Sequence, residues 1–136
     1  MELNMEKSYA QKVEKPWGYE IIFTPPDSPV TGKILHIRKG ARFSYQYHDK
    51  KQETLCLLRG KAKIIIEEKE FEMEPLKGYF IRPMVKHRCK GITACDILEA
   101  STKEEGNTVR LEDDYNRGIE TEESRKQRGK SGVYLG

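Results

Sequence analysis

Residues 40–60, GARFSYQYHDKKQETLCLLRG, contain most of the sequence pattern from which we predict the fold and a metal site. Three side chains that can bind a metal, Gln46, His48 and Glu53, fall between the two end glycines. A fourth, His87, ends the later segment GYFIRPMVKH. This spacing is typical of one mononuclear metal site, so we predict that the four side chains converge on a single ion.

The spacing also predicts how strands present these ligands. Gln46 and His48 are two residues apart, so on a strand they share one face, roughly 7 Å apart. The polar run at 49–51 predicts a turn that lets Glu53 begin the next antiparallel strand, opposite His48. His87 is then expected to come from a non-adjacent strand that a closing barrel brings near.

Composition indicates one domain of 136 residues with an uneven distribution of apolar side chains. Apolar runs crowd into residues 19–100, whereas 101–136 is mostly polar. The net charge is +3, and basic residues do not cluster with aromatic ones, so nucleic-acid binding is not expected.

The three cysteines, Cys56, Cys89 and Cys95, stand at unrelated spacings. We predict reduced thiols and a cytoplasmic location. No apolar run reaches membrane-spanning length, so no membrane segment is expected.

Short β-branched and aromatic runs separated by turn residues predict eight or nine strands and no convincing helix. The expected fold class is all-β, a jelly-roll β-barrel at 12–118. An N-terminal arm is expected at 1–11, and a polar tail at 119–136 that is disordered, wraps a partner or forms a short surface helix. The predicted strands are 19–24, 32–38, 42–48, 52–58, 61–68, 71–74, 79–82, 94–100 and 109–112.

The two segments together resemble the two motifs of the cupins. The first has a glycine, a ligand, a histidine, a glutamate and a closing glycine, and the second has a glycine, a proline and His87. A glutamine at position 46, where most cupins have a histidine, narrows the resemblance to cupins of the mannose-6-phosphate isomerase type. The chain is most similar to the C-terminal isomerase module of bifunctional isomerase/guanylyltransferases, over roughly residues 12–118.

The resemblance rests on short stretches in the family's order, and it departs from the family after the ligands. The shared stretches are Lys15-Pro-Trp-Gly18, Leu35-His-Ile-Arg38, Ser44-x-Gln46-x-His48, Ile81-x-Pro83, Leu98-Glu99 and Arg110-Leu-Glu-Asp-Asp-Tyr-Asn-Arg117. The departures are at 49–51, 54–55 and 88–90. These departures do not include any predicted metal ligand, but they leave the identity of the substrate open.

The resemblance implies a zinc site formed by Gln46, His48, Glu53 and His87. One carboxylate among four ligands leaves a divalent ion with a positive charge, so the ion remains a Lewis acid. Iron, manganese, nickel or cobalt would also suit a mixed nitrogen and oxygen shell. The third histidine, His36, lies outside both motifs and is expected to be structural.

Substrate contacts are expected from three arginines. Arg42 shares the strand parity of Gln46 and His48, so it is predicted either to point into the cavity and hold a phosphate or to form a salt bridge at the rim. Arg110 and Arg117 lie in the family-like stretch that is expected to close over the cavity mouth.

Two further side chains have candidate roles. Glu99 is the candidate catalytic residue, reaching the cavity from the last core strand. Trp17 is expected to be a packing anchor, with stacking on a sugar as the alternative.

By resemblance, the predicted function is a metal-dependent aldose–ketose isomerase that converts mannose 6-phosphate to fructose 6-phosphate. The alternatives are an Fe(II)-dependent cupin oxygenase and a non-catalytic sugar-binding cupin. The expected partners are a small phosphosugar and a second copy of the chain in a homodimer.

Overall fold

The computed structural model describes residues 8–125 and 133–134, and almost all of their regular structure is β. The strands, in chain order, are β1 (Gln11–Lys15), β2 (Gly18–Ile22), β3 (Val30–Ile37), β4 (Tyr45–His48), β5 (Glu53–Arg59), β6 (Ala62–Ile66), β7 (Lys69–Glu72), β8 (Gly78–Ile81), β9 (His87–Gly91), β10 (Cys95–Thr102), β11 (Thr108–Glu112) and β12 (Val133–Tyr134).

The strands form two antiparallel sheets. One has the order β12-β1-β2-β3-β10-β5-β8, and the other has the order β11-β4-β9-β6-β7. Neighbours such as β3 and β10 are distant in sequence, which is the connectivity of a jelly roll. The expected all-β jelly roll is confirmed, but within the described residues the two sheets stay separate and do not join into one closed barrel.

The hydrophobic core lies between the sheets. It takes side chains from both, because alternate residues of each strand point inward. Its fully buried members include Ile37, Leu55, Leu57, Ile64, Ile81, Cys89, Cys95 and Ile97. The predicted reduced thiols fit this packing, since all three cysteines are unpaired and two of them belong to the core.

Three strands, β1, β9 and the two-residue β12, had no sequence-based prediction. β1 has the sequence QKVEK and β9 has HRCKG, so neither shows the apolar alternation that predicts a strand. Both owe their conformation to ladder hydrogen bonds with neighbours, β1 with β2 and β9 with β6. β4 is shorter than predicted, beginning at Tyr45 instead of position 42.

The predicted arm and tail are only partly described. Residue 11 already begins β1, and Glu120 forms a bridge with Thr108 before a helical turn at 122–125. β12 pairs with β1, which adds the C-terminal region to the edge of the larger sheet. Residues 1–7 of the arm, and 126–132 and 135–136 of the tail, lie outside the described residues. No helix in the described part of the chain is long and apolar enough to cross a membrane.

The segment before β2 anchors the sheet edge to the core. Trp17 is 4% exposed and packs 6.1 Å from Phe43 between ring centroids, as expected of a packing anchor. The next residue, Gly18, has a φ of 156°, and a Cβ there would lie 1.8 Å from the His36 carbonyl oxygen. Only glycine allows this approach of β2 to β3.

Candidate metal centre

His48, Glu53 and His87 meet between the two sheets. Their ligand-capable atoms all lie within 4.8 Å of one another, and all three side chains are buried. Nε2 of His87 is 2.7 Å from Oε1 of Glu53, and Nε2 of His48 is 3.4 Å from the same oxygen. The sequence therefore identified three residues that the fold brings to one point.

The strands achieve this convergence differently from the sequence-based expectation. β4 pairs with β9, and Gln46 stands directly opposite His87, so His87 comes from an adjacent strand. β5 belongs to the other sheet, so Glu53 faces His48 across the gap between the sheets instead of beside it. Both expectations on strand adjacency were wrong. Residues 49–52 cross from one sheet to the other and do not form a hairpin.

The outer ring nitrogens set the orientation of both imidazoles. Nδ1 of His87 donates to the Val85 carbonyl oxygen at 2.9 Å, because a carbonyl can only accept. Nδ1 of His48 lies 2.9 Å from Oγ1 of Thr108. Metal-binding histidines are commonly held in this way by their second nitrogen.

The inner atoms fit a cation. With Nδ1 donating to Val85, the neutral form of the His87 ring would place a lone pair at Nε2, 2.7 Å from a carboxylate oxygen, which is a repulsive contact of two acceptors. Nε2 of His87 and Oε2 of Glu53 are both buried without a hydrogen-bond partner. A divalent ion held by His48, Glu53 and His87 removes that repulsion and satisfies these atoms.

Gln46 lies beside the same point. Its Nε2 is 3.4 Å from Nε2 of His48, and its Oε1 accepts a hydrogen bond from Oγ of Ser44 at 2.7 Å. A 180° rotation of the amide exchanges these two atoms and turns the oxygen toward the metal-binding group. The Ser44 hydroxyl then accepts from the amide nitrogen, so Gln46 remains compatible with its predicted role as a ligand.

Lysine side chains complete the surroundings of the metal-binding group. Nζ of Lys51 lies 3.5 Å from Oε2 of Glu53 and 3.3 Å from Oε2 of Glu99. Lys33 lies deeper in the larger sheet, with Nζ 3.6 Å from Oε1 of Glu20. Both lysines are almost fully buried, which is rare for lysine unless it is paired.

The sequence analysis missed these lysines, although a signal was present. Lys33 shares strand parity with the core residues Leu35 and Ile37 of β3, and a lysine on the inward face of a strand marks a buried charge. Lys51 stands two residues before Glu53, so it follows the parity of a ligand, but the polar run around it predicted only a turn.

The charges around the metal-binding group shift its acid–base behaviour. Burial alone would raise the pKa of Glu53, but the charge of Lys51 and the contacts with His48 and His87 lower this pKa well below 4.5. Burial, reinforced by Lys51, lowers the pKa of His48 from 6.5 to about 4. At neutral pH the group is thus a carboxylate with a neutral His48, the protonation states that bind metals.

Glu99, the predicted catalytic residue, lines the same cavity and is buried. Burial and the neighbouring charge of Glu53 raise the pKa of Glu99 to about 7, and Lys51 and Lys33 limit the increase. Because Glu99 lines the cavity beside His48 and Glu53, it can contact a molecule bound next to the metal-binding group.

Two of the three predicted substrate arginines also line the cavity. Arg110 is paired with Glu120 at 2.9 Å and donates to the carbonyl oxygen of Gly118. Arg117 is paired with Asp113 at 3.0 Å. Both arginines are thus held in the cavity wall by residues of the same family-like stretch and of the segment that follows it.

Arg42 does not share the cavity. Its guanidinium makes two hydrogen bonds of 2.9 Å with Asp114, and both side chains are more than a third exposed. The prediction that Arg42 points inward with Gln46 and His48 was wrong, because β4 begins at Tyr45 and strand parity does not extend back to position 42. The alternative of a rim salt bridge describes the geometry.

The third histidine lies outside the cavity, on β3. Nδ1 of His36 is 2.7 Å from Oδ1 of Asp96, and its ring stacks on Tyr19 with centroids 4.8 Å apart. Asp96 also accepts hydrogen bonds from Arg59. These contacts connect neighbouring strands of the larger sheet, which agrees with a structural role for His36.

Solved structures share the fold of this chain. KdgF from Halomonas sp. has a TM-score of 0.63 at 12% identity, with 75% of this chain and 93% of that chain covered. Pac13, a nucleoside dehydratase of Streptomyces, has a TM-score of 0.62 at 10% identity, with 73% and 83% covered. Salicylate 1,2-dioxygenase from Pseudoaminobacter salicylatoxidans has a TM-score of 0.59 at 13% identity, with 65% and 25% covered.

At such identities these similarities show a common fold and nothing about the reaction. No curated protein matches the sequence significantly. The family described as mannose-6-phosphate isomerase C-terminal matches residues 3–116, which is most of the sequence and includes every predicted metal ligand. The chain therefore belongs to the mannose-6-phosphate isomerase C-terminal family of cupins.

Proposed function

We propose that this protein is a metal-dependent aldose–ketose isomerase that acts on a phosphosugar, with mannose 6-phosphate and fructose 6-phosphate as the substrate pair. The observation that supports this most directly is the buried group of His48, Glu53 and His87, because His48 and Glu53 line a cavity together with Glu99 and Lys51. Family membership supports the choice of substrate.

The chemistry requires the transfer of a proton between two adjacent carbons. C2 of the aldose loses its hydrogen and C1 of the ketose gains one, while the proton of the C2 hydroxyl moves to the oxygen on C1. In this proposal Glu99 accepts the carbon-bound proton and returns it, with the reaction passing through an enediol. Lys51 lies beside Glu99 and holds its carboxylate in place.

Gln46, His48, Glu53 and His87 would hold the metal in this proposal. When bound, a divalent ion supplies a Lewis acid that polarises the oxygens on C1 and C2. The contacts of the outer nitrogens with Thr108 and with the Val85 carbonyl oxygen hold both rings so that their inner nitrogens face Glu53. Zinc is the expected ion, and iron, manganese, nickel and cobalt remain compatible with the ligand set.

The test combines metal analysis with proton exchange. The purified protein is assayed for metal content and then mixed with mannose 6-phosphate in deuterated water, and NMR follows the C2 hydrogen. Deuterium at C2, together with formation of fructose 6-phosphate, is expected. A metal-loaded protein that binds the sugar without exchange or product would contradict the isomerase and favour a sugar-binding function.

A second candidate function is an Fe(II)-dependent oxygenase. The specific observation that favours it is the composition of the inner group, because two histidines and one carboxylate also form the metal site of non-haem Fe(II) oxygenases. Iron as the bound metal and oxygen uptake with a phosphorylated or free sugar would support it. Exchange at C2 without oxygen uptake would exclude it.

A further inference from the structure

Glu104 makes an unusual set of contacts for a residue outside the strands. It lies in the segment between β10 and β11, and its carboxylate contacts three cations from three separate parts of the chain. Oε1 accepts a hydrogen bond from Nζ of Lys33 and lies 3.6 Å from Nζ of Lys51. Oε2 lies 3.3 Å from Nε of Arg125. We call Lys33, Lys51 and Arg125 the cation nest.

The nest is built into the fold, whereas the carboxylate within it is not. Lys33 is 3% exposed on β3, and Lys51 is 7% exposed just before β5. Glu20 also lies near Lys33, and Glu53 and Glu99 lie near Lys51, so both buried ammonium groups keep a carboxylate neighbour if Glu104 withdraws. The side chain of Glu104 approaches from an irregular segment that runs past the cavity, and rotation of that side chain alone would vacate the position.

The segment around Glu104 is held elsewhere. The backbone N–H of Gly106 donates to Glu122 at 2.7 Å, and the backbone N–H of Asn107 donates to Asp49 at 2.7 Å. These contacts hold the chain beyond Glu104 without using the Glu104 carboxylate. Its departure therefore leaves the backbone of the segment in place.

The charges of the cavity favour an anionic ligand at this point. Five basic and five acidic side chains line the described cavity, so their formal charges cancel while Glu104 is present. If Glu104 withdraws, the wall has one net positive charge, and a divalent ion adds two more. A phosphate monoester has a charge of about −1.5 to −2 at pH 7, so it compensates this excess better than one carboxylate.

We propose that the cation nest of Lys33, Lys51 and Arg125 is a phosphate-binding subsite where the cavity, lined by the two lysines, meets an adjoining groove lined by Arg125. Glu104, which lines both, occupies this subsite until a phosphate monoester displaces the carboxylate. This inference rests on the proposed function for its choice of ligand. It assigns the phosphate to buried lysines close to the metal-binding group, and not to Arg42 at the surface. Glu104 thereby competes with the substrate and lowers its apparent affinity.

The test measures binding of inorganic phosphate to the metal-loaded protein by calorimetry at fixed ionic strength. Glu104→Gln removes the competing charge, so phosphate should bind roughly tenfold more tightly, which is the effect of losing one charge-assisted hydrogen bond. Glu105→Gln is the matched control, because Glu105 is an exposed neighbour in the same segment. It should leave the affinity within about twofold.

Two further measurements identify where the phosphate binds. Adding Lys33→Met to Glu104→Gln should abolish the roughly tenfold gain, whereas phosphate bound directly to the metal would keep its affinity. Acetate replaces phosphate in a parallel titration. A gain for acetate as large as that for phosphate would identify a general carboxylate site and overturn the phosphate assignment.

The outcomes separate this inference from the proposed function. Unchanged or weaker phosphate binding by Glu104→Gln, or an equal gain from Glu105→Gln, overturns the inference even if the protein isomerises mannose 6-phosphate. A selective gain from Glu104→Gln supports the inference even if no proton exchange is detected, in which case the isomerase proposal alone fails.

Discussion

The interior of this protein has two ends of opposite character, although the same strands form both. On β3 the inward positions change from Lys33 to Ile37, and on β10 they change from Cys95 to Glu99. The strand register pairs charged residues with each other and apolar residues with each other, because Lys33 is opposite Glu99 and Ile37 is opposite Cys95. We call the two ends the charged end and the apolar end.

The comparison separates residues that stabilise the fold from residues that serve the site. Burial of aliphatic side chains stabilises the apolar end without any need for exact partners. Each buried charge at the other end costs desolvation energy that well-packed hydrophobic residues would avoid. The network of buried lysines and carboxylates is therefore expected to serve the proposed metal and substrate site more than stability.

The largest expected effect is the loss of metal from the charged end. His87→Ala removes a buried ligand, so the affinity for metal should fall by roughly a hundredfold or more. Metal analysis of the purified variant measures this. His36→Ala is the matched control, because His36 lies outside the cavity on the same sheet as Glu53. Equal metal content in both variants would remove the proposed site.

The next effect tests whether the charges depend on one another. Lys51→Met leaves Glu53, Glu99 and Glu104 without a shared cation, so the free energy of unfolding should fall by about 3–5 kcal/mol. Urea denaturation measures it. Lys50→Met alters the exposed neighbour and should change stability by less than about 0.5 kcal/mol. Similar small effects of both substitutions would show that the network is not coupled.

The apolar end should respond in stability alone. Ile97→Ala removes a fully buried side chain between Leu35 and Leu57, so the free energy of unfolding should fall by about 2–5 kcal/mol. Metal content of the folded variant should equal that of the wild type. A variant that folds but loses its metal would show that the two ends are not independent.

A smaller effect concerns the thiols of the apolar end at alkaline pH. Burial raises the pKa of Cys95 from 9.0 to about 11. In this window the unfolded chain loses the thiol proton first, so stability falls as pH rises from about 9 to about 11. Unfolding of Cys95→Ala should show a shallower decline than the wild type. Cys56→Ala, at a half-buried position, is the control, and an equal change in both would contradict the assignment.

The smallest effect is expected at Arg42. Its ion pair with Asp114 is solvent-exposed, so Arg42→Ala should cost less than about 1 kcal/mol of stability. Metal content and the KM for mannose 6-phosphate should be unchanged, whereas substitutions in the cation nest should affect phosphate binding. A roughly tenfold increase in KM for Arg42→Ala would return the phosphate role to this arginine.

Several features of the protein follow from local sequence. Alternating apolar residues predict most strands, and motif spacing predicts the grouping of His48, Glu53 and His87. These predictions succeed because strand alternation and motif spacing are properties of short segments. Short segments also show which side chains share a face, provided that the strand extends over all of them.

Other features depend on contacts between segments that are distant in sequence. Nothing near Glu53 indicates that β5 lies in the opposite sheet from His48, or that His87 is adjacent to Gln46. Strand alternation predicts which face of the sheet a side chain occupies, but it does not predict which strand lies next to it. The pairing of strands depends on how the whole chain packs.

The buried charges are even harder to predict from local sequence. A lysine such as Lys33 is predicted to be exposed by its type, and its burial is possible only because Glu20 and Glu104 arrive from other segments. Arg42 is the converse case, since Asp114 holds it at the surface. The candidate ligands could thus be identified from two short stretches of sequence, 40–60 and 78–87, whereas the charges around them depend on electrostatic partners that only the folded chain brings together.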